Sequence, residues 1–175
     1  VLFCALLLAA PLLPGEERVS LRLKTSYLQP QGDATSRGGG AGLSLGYRLT
    51  DQVFLVAGGS ASLLWATPAE GGPRERHRLT MVSAGLEALL DATPVAPFLD
   101  LCLVRLLPQS AAGYSVATRV SLGADWWFAA PFALGLAVRT LTPLDNANAV
   151  TGVGGIEIAL RFTWLPQRSR KATKE

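Results

Sequence analysis

Although 49% of the 175 residues are hydrophobic, no uninterrupted apolar run approaches the roughly 20 residues that a membrane-spanning helix needs. Charge is also scarce: Asp, Glu, Lys and Arg make up 17% of the chain, little for a protein whose surface faces water. Apolar content without a spanning helix leaves a strand-built membrane protein or a very buried soluble core. The net charge is only +3, part of it from Arg168 to Lys174, and no basic stripe interleaves with aromatics, so no nucleic-acid partner is expected. Of the two cysteines, Cys4 lies in a leader-like segment and Cys102 in a predicted strand, which excludes an internal disulfide in a mature chain. The single histidine, His77, limits acid–base chemistry. Asp145, Asn146 and Asn148 carry oxygens suited to calcium but are also common turn formers, and nothing matches an EF-hand loop. The glycines of 38–40 and 152–155 lack the strand-then-helix setting of a phosphate cradle. No metal and no cofactor is expected.

What the chain does have is alternation. From Ser121 to Thr140 it reads SLGADWWFAAPFALGLAVRT. Val120, Leu122, Ala124 and Trp126 share one face, with Arg119, Ser121, Gly123 and Asp125 on the other. After a tight connection over Phe128 to Pro131, Phe132, Leu134, Leu136 and Val138 oppose Ala133, Gly135, Ala137 and Arg139. A period of two predicts strands, because a helix would mix those faces. Trp126, Trp127, Phe128 and Phe132 crowd one end of this hairpin, as aromatics do at a membrane interface.

The same pattern recurs in six more runs. Val19, Leu21, Leu23, Thr25 and Tyr27 oppose Ser20, Arg22, Lys24 and Ser26. Ala41, Leu43, Leu45, Tyr47 and Leu49 oppose Gly42, Ser44, Gly46 and Arg48. The third run, Gln52 to Trp65, is apolar on both sides, so its phase is open. Val82, Ala84, Leu86 and Ala88 oppose Ser83, Gly85 and Glu87, and Leu99, Leu101 and Leu103 oppose Asp100 and Cys102. Last, Ile156, Ile158, Leu160, Phe162 and Trp164 oppose Gly155, Glu157, Ala159 and Arg161. The connections alternate long and short: Gln29 to Gly39, Thr50 to Gln52, Ala66 to Arg78, Asp91 to Val95, Leu107 to Tyr114, Phe128 to Pro131, Leu141 to Thr151. That rhythm predicts an all-β fold, an eight-stranded antiparallel up-and-down transmembrane β-barrel.

Residues 1–16 read as a truncated signal peptide, residues 17–165 as the barrel, and residues 166–175 as a basic, disordered periplasmic tail. A soluble barrel would carry Lys, Glu, Thr and Gln on its polar face. Here that face is mostly Gly, Ser and Ala, which suits a narrow lumen with the apolar face against lipid. The isolated charges of the polar face are Arg22, Lys24, Arg48, Arg119, Arg139 and Arg161 against Glu87, Asp100, Asp125 and Glu157. Packed inside a barrel of about eight strands, they must pair or meet trapped water. A salt-bridge plug is the expectation, with a gated ion path as the alternative.

The phrases LGADWWFAAPFALGLAVR, APFLDLCL and GIEIALRFTW resemble the small outer-membrane β-barrel proteins of Gram-negative bacteria, of the OmpA and OmpX type. The resemblance implies an outer-membrane location, a monomer, and a last strand whose aromatic end, Phe162 and Trp164, is read by the barrel-assembly machinery. Members usually end on that aromatic, whereas this chain continues through LPQRSRKATKE. Lipid A deacylases of similar architecture carry a His-x-Ser pair, while Arg78 and Leu79 follow His77 here. The expected function is therefore structural or surface-interacting rather than enzymatic. A narrow channel or transporter is the alternative, and a lipid-modifying enzyme at the outer rim a second. Arg74, Arg76 and Arg78, with Arg37 and Arg105, are the candidates to hold the phosphates of lipopolysaccharide, because guanidinium binds phosphate bidentately.

Overall fold

Alternating strands bury one face only if their sheet finds a cover or curls until it meets itself. The computed structural model, which describes residues 18–31, 37–66, 75–90, 93–108, 115–129, 131–144 and 154–165, takes the second course. Its strands are β1 (Val19–Gln31), β2 (Arg37–Arg48), β3 (Val53–Ala66), β4 (Glu75–Leu89), β5 (Val95–Pro108), β6 (Ser115–Ala129), β7 (Phe132–Pro143) and β8 (Gly154–Trp164). Each pairs antiparallel with the next, and β8 returns to β1 from Leu21↔Trp164 to Gln31↔Gly154, so the barrel is closed. The leader, the tail, Arg74 and Asp145 to Asn148 lie outside the described residues.

The two faces fall as the alternation predicts. Leu45, Leu55, Leu86, Leu101, Leu122, Leu136, Ile158 and Leu160 all stand exposed on the outside, where water would not tolerate so continuous an apolar band. The third run acquires its phase here, with Phe54 and Val56 buried inside and Leu55 and Leu63 outside.

The strands run further than the sequence reading gave them, with Gln29–Gln31, Arg37–Gly39, Leu107–Pro108 and Leu141–Pro143 in strands and not in connections, and three further details differ. β4 starts at Glu75, so Arg76, His77 and Arg78 are strand residues, paired with Trp65, Leu64 and Leu63, and not part of a loop. Beyond the apolar band both faces can be wet, so ladder hydrogen bonds extend a strand without any alternation to announce it. At the opposite end, Phe128 and Ala129 belong to β6, which reaches β7 through residues 130–131 only. A register shift between Trp127 and Ala129 accommodates this turn. The aromatic cluster also divides. Trp126, Phe128 and Phe132 face outward, where Trp126 lies 6.2 Å from Phe128 and Phe132 stacks on Phe162 at 5.7 Å. Trp127 is instead buried in the lumen, because neighbouring residues of a strand point to opposite faces.

Candidate functional site

The lumen holds the charges that the polar face supplied, and strand register decides which of them meet. Around the barrel one row of cross-strand partners runs Glu157, Arg139, Ser121, Asp100, Glu87, Phe54, Arg48. Asp100 and Glu87 thus stand opposite each other, a like-charge pair that neutral neighbours would leave unstable. Arginines from other strands answer it. Arg22 Nη2 lies 2.9 Å from Glu87 Oε1, an ion pair whose angles fall short of a hydrogen bond. Arg161 Nη1 donates to Glu87 Oε2 at 2.6 Å.

Arg161 is the centre of this lower group. Its Nε and Nη2 donate to the two oxygens of Asp125 at 3.0 and 2.5 Å, a bidentate grip, and Thr163 Oγ1 adds a hydrogen bond to Asp125 at 3.3 Å. The guanidinium also lies 3.6 Å from the centre of the Phe98 ring, while Arg22 and Arg48 flank Phe54 at 5.3 and 5.6 Å. A second group sits nearer the long-loop end. There Arg139 Nη1 donates to Glu157 Oε1 at 3.2 Å. Arg119 Nε lies 3.6 Å from Asp100, and its Nη atoms reach Ser83 Oγ at 3.5 Å and Cys102 Sγ at 3.2 Å.

The small residues of this face make room for the long ones. A Cβ at Gly42 would come within 2.5 Å of Lys24 Cε and 2.7 Å of Ser60 Cβ, and one at Gly46 within 2.9 Å of Arg22 Nη1. Gly42 and Gly46 are thus the floor on which the Lys24 and Arg22 side chains lie.

Above the ionic groups, on the same inward parity, Leu28, Leu79, Met81, Leu106 and Leu141 are buried and form an apolar tier. Reasoning from charges missed it. The signal was present, since Leu28 follows Ser26, Met81 precedes Ser83 and Leu141 follows Arg139 in unbroken alternation.

Outside, the basic candidates separate. Arg37 pairs with Trp65, and Trp65 with Arg76, so two arginines flank one tryptophan in a single outward row at the long-loop end. Arg78 lies beside Leu63 in the next outward row. Arg105 sits apart, between Val82 and Val116. Phe162 and Trp164 occupy the outer face at the short-turn end, Phe162 exposed and Trp164 half-buried. Among the described residues no cluster of His, Cys, Asp and Glu has the grouping of a metal site.

Closure, order of strands and an apolar exterior together define a small eight-stranded barrel of the transmembrane class. Solved structures share it. Neisserial surface protein A is similar at 15% identity with a TM-score of 0.63, over 84% of this chain and 96% of that one. The outer membrane protein OprG of Pseudomonas aeruginosa is similar at 11% identity with a TM-score of 0.54, over 85% and 92% of the two chains. The N-terminal β-barrel domain of Pseudomonas aeruginosa OprF gives 16%, 0.52, and 83% and 96%. No protein-family model and no curated protein matches the sequence.

Proposed function

We propose that this chain is an outer-membrane barrel with a structural or surface-interaction role, closed to ions and without catalytic activity. The observation that carries the reading is the filling of the lumen. Two ionic groups and an apolar tier stack along it, and a cavity among the ionic side chains measures about 20 Å³, room for about one water molecule. Desolvated ion pairs held from both sides make a rigid plug, because moving one guanidinium away strands its carboxylate in a dry interior. The likeness to a protein described as an outer membrane protein supports the location. The outward aromatics Phe162 and Trp164 are the features that the barrel-assembly machinery would read, and the barrel acts as a monomer. In planar bilayers the refolded protein should show no stepwise conductance at moderate voltage. Reproducible steps would replace this reading with a narrow channel. Incubation with lipopolysaccharide should leave its mass spectrum unchanged, and loss of an acyl chain would make the protein a rim enzyme.

The same reading gives the exterior a partner, lipopolysaccharide. Arg37 and Arg76 on either side of Trp65, with Arg78 one step below, present guanidinium groups where the apolar band ends. Such a position suits phosphates at the top of an acyl layer, with the tryptophan ring at the boundary. Replacing Arg37, Arg76 and Arg78 together by Gln should lower the lipopolysaccharide that co-purifies while leaving the heat-modifiable fold intact. An unchanged amount of bound lipid would return these arginines to solvent.

A further inference from the structure

The lumen charges do not balance, and the surplus is local. The central cavity is lined by five cationic side chains, Arg22, Lys24, Arg119, Arg139 and Arg161, but by only two carboxylates, Glu87 and Asp100. Asp125 and Glu157 reach Arg161 and Arg139 from outside that lining. With Arg48, which lies outside the lining beside Phe54, the lumen has six cations against four acids; among the five cations at the cavity, one positive charge has no counterpart.

Lys24 is that charge. It is 7% exposed, its stem lies across Gly42, and register sets it directly beside another cation, Arg161. The ion pairs of the lumen take up Arg22, Arg119, Arg139 and Arg161, and Lys24 joins no ion pair or hydrogen bond among the described residues. Hydrogen-bond donors are in surplus as well. The Nε atoms of Arg22 and Arg139 are buried without an acceptor, and both residues line the same cavity.

A buried ammonium beside a guanidinium is costly unless something negative joins it. A cavity of about 20 Å³ has room for a small, roughly spherical guest. We propose that the cavity is a binding site for one monatomic halide, chloride in ordinary media, held by the Lys24 ammonium and the free Nε–H donor of Arg139. The halide completes the plug: it supplies the missing charge and accepts the orphaned Arg139 Nε–H.

The test is a halide dependence of stability. Thermal unfolding of the refolded barrel in detergent is followed by loss of heat-modifiable mobility, in chloride or bromide made up to constant ionic strength with gluconate. A ligand bound only by the folded state raises the midpoint with its concentration. The wild-type midpoint should therefore rise by a few degrees for each tenfold increase in halide above the dissociation constant. Lys24→Met should fold and lose that slope. A wild-type midpoint independent of halide, or a slope unchanged in Lys24→Met, would overturn the proposal and leave Lys24 neutral or hydrated. Crystals of the wild-type protein grown in bromide serve as the second measurement if the variant fails to fold. An anomalous peak in the cavity within reach of Lys24 supports the site, and its absence refutes it.

Discussion

Glu87 is the residue whose loss should cost the barrel most. Its carboxylate, 2% exposed, lies 2.9 Å from Arg22 and 2.6 Å from Arg161. Replacing it with Leu does not affect both arginines equally. Arg161 retains the bidentate Asp125 and the ring of Phe98 at 3.6 Å. Arg22 retains only the ring of Phe54 at 5.3 Å and no ion pair among the described residues. One guanidinium is thus left buried without an acid, a situation that costs about 3–5 kcal/mol. Glu87→Gln keeps the volume and one acceptor oxygen, so a smaller loss, about 1–3 kcal/mol, is expected. Removing the stranded cation too, in Arg22→Met with Glu87→Leu, should recover part of the loss, with a coupling of about 1–3 kcal/mol. Equilibrium urea unfolding in micelles measures these differences, with heat-modifiable mobility as the second probe. The control is Asp51→Asn in the exposed turn between β2 and β3, which should change stability by less than about 0.5 kcal/mol. Glu87→Leu falling within about 1 kcal/mol of that control would mean that the lumen is wet enough to solvate Arg22, and the argument from a dry plug would fail.

Two further outcomes follow from the same geometry. Leu122, 65% exposed at the middle of the outer face, should tolerate Arg poorly, at a cost of about 2–4 kcal/mol in a lipid bilayer; a neutral effect would place that face against water. Cys102, free and buried beside Arg119 in the lumen, should resist a charged methanethiosulfonate reagent in the folded barrel and react fully after unfolding, whereas rapid labelling of the native protein would reveal a water path.

Much of this architecture is local and therefore readable residue by residue. Alternation has a period of two whatever the partner strand, so Leu122 and Leu136 outside and Ser121 and Gly135 inside are legible without knowing what they pair with. The alternation of long and short connections likewise orders eight strands into a meander before any contact is known. The inventory of lumen charges follows from the same parity. Its wiring does not. Arg161 reaches Asp125 across 36 residues of sequence through the register of β6, β7 and β8 over Gly135, and Glu87 across 74 residues only because the sheet curls round the lumen. The facing pair Asp100 and Glu87 is set by the register of β4 against β5, while the arginines that bridge it and the placing of Lys24 beside Arg161 arise only once β8 has returned to β1. Trp127 shows the same division on a small scale: composition grouped it with its aromatic neighbours, and the geometry of a strand turned it inward. Parity is a property of the chain alone, while pairing across a lumen is a property of the closed sheet, because register and curvature set the distance between side chains that no sequence interval measures.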